Sequence, residues 1–172
     1  MRADHPETFW WRSLLTVFFL QATLATLLSL PLLVVQRATA VPAAALVAGC
    51  ALWLTGFLCE AVADWQLQRF RERPRPGRGV LGVLDTGLWR YSRHPNYFGE
   101  ALLWWGYGTI AAGCGTAWVL LAPAAMTFLL LRVSGVTLLE KTIVGRRPEY
   151  ADYIARTSAF IPWPPRPRAV EP

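Results

Sequence analysis

From Leu14 to Val35 the chain runs for 22 residues without a charge. As a helix that run is about 30 Å long, the thickness of the hydrocarbon core of a bilayer. Nothing else in the sequence narrows the possible folds as much. In lipid every backbone N–H and C=O must find a partner inside the protein, and a single spanning segment manages this only as a helix. Thr16, Gln21, Thr23, Thr26 and Ser29 are expected to bond their own helix or face protein, and Pro31 to kink its last turns. Trp10 and Trp11 stand where an interfacial aromatic belt begins. A cleaved signal peptide would also use the basic start at Arg2 and Arg12 and the small residues Ala38-Thr39-Ala40. The apolar run is longer than the roughly 7–15 residues of such a peptide, and further apolar runs follow it.

Those further runs lie near 41–63, 96–114 and 117–139. The second is expected to continue as a helix to Phe70, with Glu60 and Asp64 one turn apart on one face. Pro95 suits the first turn of the third helix, and His94 before it is biased away from helical geometry. The short Gly113-Cys114-Gly115 turn predicts a tight antiparallel hairpin between the third and fourth helices, the fourth kinked at Pro123. Residues 148–156 read as a short amphipathic helix before a proline-rich tail. Composition agrees: 54% of the 172 residues are hydrophobic and only 16% charged, against about 25% charged in a soluble domain. A chain this short cannot hide so much apolar surface in one soluble core. The expectation is an all-α integral membrane bundle of four spans forming one domain over 1–172, with a basic loop at 64–95 and a polar segment at 140–172.

The net charge of +6 raises nucleic acid as a partner, and its distribution argues against it. Of 17 basic residues, 13 fall in 64–95 or after Leu139, while Arg37 stands opposite them. That asymmetry is the positive-inside pattern, and it predicts cytoplasmic termini and a cytoplasmic basic loop.

Chemistry concentrates in Arg90-Tyr91-Ser92-Arg93-His94-Pro95-Asn96-Tyr97-Phe98-Gly99-Glu100. Two guanidiniums, an imidazole, an amide, two phenols and a carboxylate precede or enter an apolar helix. Glu100 in the first turns of a span is a functional candidate because a carboxylate exposed to lipid is costly; its structural alternative is an acid at the positive end of a helix. Arg90 and Arg93 beside a helix start are a candidate anion seat. Tyr97 is the candidate proton donor, on reach alone. Arg132 shares a helix face with Glu140, and Glu60, Asp64 or Glu100 is its expected counter-ion, in a site or in a structural pair.

Other motifs carry less. Gly77-Arg78-Gly79-Val80-Leu81-Gly82 matches GxGxxG but follows Arg73-Pro74-Arg75-Pro76 with no strand before it, so a dinucleotide fold is not indicated. His5 and His94 are the only histidines and no metal-ligand spacing occurs. Ser92 lacks the surroundings of a nucleophile elbow. Cys50, Cys59 and Cys114 sit in apolar runs and read as buried small hydrophobes.

GLWRYSRHPNYFGE at 87–100 resembles the signature of bacterial proteins of unknown function related to steroid 5-alpha-reductases. The likeness extends through FLCEAVADWQLQRF at 57–70, WWG at 104–106, LLRVSGVTLLEK at 130–141 and RRPEYADYIARTSAFIPWPP at 146–165. The wider group includes sterol reductases and isoprenylcysteine carboxyl methyltransferases. The resemblance implies a helical bundle in the bacterial inner membrane. It also implies NADPH held at the cytoplasmic side and hydride delivered to a carbon–carbon double bond of a steroid-like or other lipid. Carried over, Arg93, His94, Asn96, Tyr97 and Glu100 line the cofactor site. Glu140, Lys141, Tyr150 and Tyr153 belong to the C-terminal cofactor-side segment, and Asp64 and Arg69 approach from the second helix. Arg93-His94-Pro95, Tyr97, Glu140, Tyr150, Tyr153 and Ile161-Pro162 resemble the methyltransferases as well, which use S-adenosylmethionine. Family members carry further helices before the part matching Trp11, so a partner subunit supplying them is expected if the chain works in this form. A non-catalytic bundle is the third alternative.

Overall fold

The computed structural model describes residues 8–72, 82–133, 136, 140, 143 and 150–167. Among these the regular elements are all helical, apart from one isolated bridge between Ser92 and Ser158. Two helices are long and apolar enough to cross a membrane: α1, Trp10–Arg37, and α2, Ala43–Glu72. Their apolar windows are only 6% and 11% buried within the chain. The core helix of a soluble protein would be mostly covered. Here Phe18, Phe19, Leu20 and Leu27 of α1 and Val47, Leu54, Leu58 and Trp65 of α2 are exposed.

Local chemistry accounts for the interruptions of α1. Thr23, Thr26 and Ser29 donate their hydroxyls back to Phe19, Ala22 and Thr26 carbonyls at 2.8–2.9 Å, as a polar side chain in an apolar helix must. The α-geometry breaks at Ser29, and Pro31 then occupies the first turn of Leu30–Arg37, where its missing N–H costs nothing. Residues 14–19 form a π-helical stretch.

The third helix, α3, is Pro95–Gly113, with Pro95 at its first turn and His94 at φ −138°, outside helical space as expected before proline. The fourth, α4, covers Ala117–Val133, 17 residues, opening with a 3-10 turn at Ala117–Leu120, holding Pro123 in the first turn of its α-helical stretch Leu121–Phe128, and closing with a π-stretch at Leu129–Val133. The expected third and fourth spans are therefore helices, though only α1 and α2 combine the length and hydropathy of a membrane crossing among the described residues. The predicted hairpin is present: Gly115 turns with φ +86°, and Trp105 Nε1 donates to Thr127 Oγ1 at 3.1 Å between α3 and α4. A final short helix, α5, is Tyr150–Arg156.

The tightest packing joins α2 and α3, through small residues seven apart. Gly49 and Gly56 of α2 are buried and meet Gly106 and Gly99 of α3 in antiparallel order, and Gly113 of α3 meets Ala45 of α2. A Cβ on Gly99 would stand 2.6 Å from both the Gly56 carbonyl and the Glu60 amide nitrogen, and one on Gly106 would stand 2.7 Å from the Gly49 carbonyl. Removing side chains there lets the two backbones touch, the usual solution where lipid offers no hydrophobic drive to pair helices. The register matters for the site, because it sets Asn96 and Glu100 beside Asp64 and Glu60.

Candidate active site

Two polar groupings meet at the start of α3. The first is a buried clasp. Arg93, only 8% exposed, makes four hydrogen bonds. Its Nε and Nη2 grip the Glu140 carboxylate as a fork at 2.6 and 3.1 Å, and its Nη1 donates to the Ile154 and Thr157 carbonyls at 3.0 and 2.5 Å. His94 Nε2 lies 3.2 Å from Glu140 Oε1. The backbone on either side is tied to the C-terminal segment too. Arg93 N–H donates to Ser158 at 2.8 Å, Trp163 N–H to the Tyr91 carbonyl at 2.9 Å, and Ser92 Oγ–H to the Phe160 carbonyl at 2.7 Å. The Tyr153 hydroxyl donates to the Trp89 carbonyl and lies 3.3 Å from that of Ser92. Trp89 in turn donates its indole N–H to the Ala63 carbonyl of α2 at 3.0 Å.

Charge follows from this geometry. Burial alone would push the Glu140 carboxyl up, but the hydrogen bonds from His94 and Arg93, with their charges, outweigh it and hold it below the ordinary range. Tyr150 is pushed up to about 12 by burial and then by the Glu140 charge, with Arg93 opposing. Burial, and next the neighbouring Tyr150, raises Tyr153 as well. For Glu140 the sign is definite. A carboxyl whose folded value is depressed contributes stability that is complete above the unfolded value, 4.5, and is lost as pH falls through the folded one. Acidification below about pH 4.5 should therefore lower the unfolding temperature in detergent, and by less in Glu140→Gln. Equal acid sensitivity in the two proteins would remove Glu140 from this role.

The second grouping is half-open. Asn96 Nδ2 donates to Asp64 Oδ1 at 3.0 Å across the α2–α3 contact, while Asn96 Oδ1 is buried with no hydrogen-bond partner among the described residues. Glu60, Asp64 and Glu100 are close enough to act on one another electrostatically, and Tyr97 feels both Asp64 and Glu100. The Tyr97 ring stacks on His94 with centroids 5.5 Å apart and planes 2° from parallel. Through that stack Tyr97 is positioned by the clasp, since Glu140 fixes the imidazole.

The predicted site residues thus divide. Asp64, Asn96, Tyr97 and Glu100 come together, joined by Glu60. His94 and Glu140 stand behind them. Arg93, expected to hold a cofactor anion, spends its fork on Glu140 instead. Tyr153, expected to face a cofactor, is 2% exposed with its hydroxyl committed to backbone. Tyr150 packs edge-on against it at 5.4 Å and is also buried. Arg69 lies over the Trp65 ring, 4.6 Å from its centroid, on the exposed side of α2. Arg132 is exposed, and among the described residues it pairs with none of its expected counter-ions Glu60, Asp64 and Glu100. Arg90 is exposed on the 3-10 turn Gly87–Arg90 and borders a separate cavity. Lys141 and the GxGxxG stretch up to Leu81 lie outside the described residues. Sequence reading missed Ser92 as a knot of the clasp. Its Oγ also accepts the His94 N–H at 3.1 Å, a role that its place two residues before a pre-proline histidine could have suggested.

An all-helical chain with two lipid-length helices, and a polar site where one of them meets the start of a third, falls in the class of helical proteins suited to a membrane. The chain belongs to the family described as "Protein of unknown function (DUF1295)", which matches residues 1–157. It is also similar to 3-oxo-5-alpha-steroid 4-dehydrogenase 1 of Bos taurus, 36% identical over 83 residues. Those residues are 48% of this chain and 30% of the bovine protein, so the chain spans less than a third of that relative's length. No solved structure matches. The relationship to steroid 5-alpha-reductases expected from residues 87–100 is supported by both matches, and it makes a distant link to an oxidoreductase.

Proposed function

We propose that the protein is a membrane-embedded reductase of a carbon–carbon double bond in a steroid-like or other lipid, using NADPH. The observation that carries this reading is the 36% identity to a steroid 4-dehydrogenase, in a chain whose Asp64, Asn96, Tyr97 and Glu100 gather at one site. The proposed arrangement is a four-span bundle of α1 to α4 with cytoplasmic termini, the site facing the cytoplasm.

The residues suit part of the cofactor. The unpartnered Asn96 Oδ1 and the carboxylates of Asp64, Glu60 and Glu100 form a set of acceptors, fitted to hydroxyl and carboxamide donors rather than to phosphates. Asn96, Asp64 and Glu100 would hold the ribose or carboxamide end. Bound NADPH supplies the hydride, chemistry that no side chain of this protein can perform. Tyr97 carries a phenolic proton at Oη, and the stack on His94 keeps its ring from swinging away; it is the group that would protonate the second carbon. Glu100, beside Tyr97, would orient the cofactor and bias that proton. The exposed apolar faces of α1 and α2 lie in lipid, from which a hydrophobic substrate enters without crossing water.

A second reading rests on the charge of the same site. Three neighbouring carboxylates with no Lys or Arg paired to them among the described residues also complement a cation, as the sulfonium of S-adenosylmethionine is. Thermal unfolding of the detergent-purified protein separates the two. A ligand specific to the folded state at 100 times its Kd adds about 2.7 kcal/mol. NADPH is expected to stabilise the wild type and to lose most of that effect in Glu100→Gln, whereas Leu129→Ala should retain it. Stabilisation by S-adenosylmethionine alone would move the reading to methyl transfer. No response to either ligand would favour a non-catalytic bundle or a missing partner subunit.

A further inference from the structure

Away from Tyr97 and Glu100, a cavity of about 540 Å³ opens between the 3-10 turn and the C-terminal segment. Asp85, Thr86, Arg90, Arg156, Thr157 and Arg166 border it, and none of Asp64, Asn96, Tyr97 or Glu100 does. Three guanidiniums face one carboxylate. Arg156 is tethered, with Nη2 3.0 Å from Asp152 and 3.7 Å from Asp85. Arg166 is placed by its backbone N–H, which donates to the Arg156 carbonyl at 3.0 Å. Arg90 and Arg166 pair with no carboxylate among the described residues, so the positive charge of the rim is theirs. Gly87, also on the cavity wall, adopts φ +62° at the start of the 3-10 turn that carries Arg90, a conformation glycine enters without steric cost.

We propose that this cavity seats a phosphate group, gripped by Arg90 and Arg166 with Arg156 beneath them. Guanidinium forks match phosphate oxygens in charge and geometry, and the two threonine hydroxyls on the wall add neutral donors. A phospholipid headgroup and the phosphate of a soluble nucleotide offer the same chemistry. The neighbouring surface suits the lipid: Ile161 and Trp163 are 63% and 69% exposed, and the Trp163 backbone is fixed to Tyr91, next to Arg90. Exposed aromatic residues beside arginines are the pattern of a membrane interface.

Native mass spectrometry of the full chain in non-ionic detergent tests this with phosphatidylglycerol, diacylglycerol and NADPH as probes. Arg90 and Arg166 are exposed, so the Arg90→Gln/Arg166→Gln double variant should fold, which its thermal unfolding verifies. Phosphatidylglycerol is expected to be retained by the wild type, with diacylglycerol at least tenfold weaker. The double variant should lose at least tenfold in affinity for phosphatidylglycerol, while Tyr97→Phe keeps it. If NADPH instead loses affinity in the double variant, the phosphate seated is the nucleotide's. Equal retention by wild type and double variant for every probe, or equal retention of diacylglycerol and phosphatidylglycerol, overturns the site. NADPH binding that depends on Glu100 but not on Arg90 and Arg166 bears on the reductase reading alone.

Discussion

Replacing Arg93 with alanine should cost about 3–5 kcal/mol of unfolding free energy, the range for breaking a buried ion pair from one side. The loss is larger than that of a surface bridge for three reasons. Among the described residues Glu140 keeps only His94 as a side-chain partner. The Ile154 and Thr157 carbonyls lose their donor. The third is that the fork is made at a position only 8% exposed, where its loss leaves polar groups with little access to solvent. Arg93→Lys keeps the charge but cannot span two carboxylate oxygens and two carbonyls at once, so it should fall between wild type and alanine. Arg93→Ala/Glu140→Ala should be far less destabilised than the sum of its single changes, since the pair acts as a unit. Urea unfolding in mild detergent measures the wild type and the four variants, Glu140→Ala included. Additive single effects would mean that Arg93 and Glu140 do not depend on each other. A role for Arg93 in gripping cofactor would show differently, as lost ligand affinity with stability intact.

Gly99→Ala should be nearly as damaging, at about 3 kcal/mol, the upper end of the cost of forcing atoms into a packed contact. The new methyl would meet the Glu60 amide nitrogen, the Gly56 carbonyl and the Glu60 Cβ at 2.6–2.9 Å. Two of those three are backbone, so only a shift of α2 against α3 relieves the clash. Such a shift also separates Asn96 from Asp64, and site function should fall with stability. Gly82→Ala is the control: a Cβ there has nothing within 4 Å, and its effect should stay within about 0.5 kcal/mol. Equal behaviour of the two variants would mean that α2 and α3 do not touch through Gly99.

Much of the architecture was legible because its signals are local. Charge-free runs mark α1 and α2, the proline after His94 marks the start of α3, and the Gly113-Cys114-Gly115 turn marks the hairpin. The convergence of Asp64, Asn96, Tyr97 and Glu100 is also within reach, since the last three share the first two turns of α3 and Asp64 lies on the neighbouring α2. What could not be read was which arginine does what. A basic residue kept on one side by topology looks the same in sequence as one gripping a carboxylate or lining a cavity. From sequence Arg93 therefore reads as a ligand of an anion outside the chain, whereas in the structure its anion is Glu140. Arg156 and Arg166 were counted only as topology. Those partners lie tens of residues apart, and no periodicity links them. The seven-residue spacing of Gly49 and Gly56 on α2 and of Gly99 and Gly106 on α3 is a further local signal, and it sets the register of the site.

The clasp has a consequence for biogenesis. The carboxylate that Arg93 holds comes 47 residues later in the chain, and the carbonyls it also holds come 61 and 64 residues later. Translation delivers α2 and α3 first, and their glycine faces can pair as soon as both have emerged. Through that interval Arg93 remains without Glu140, and Tyr97 has a neighbour whose imidazole nothing yet restrains. The ribosome must release α5 before the knot can close. Fastening of the candidate active site accordingly waits for α5, and a nascent chain arrested before residue 150 would carry its reactive residues without the clasp that orders them.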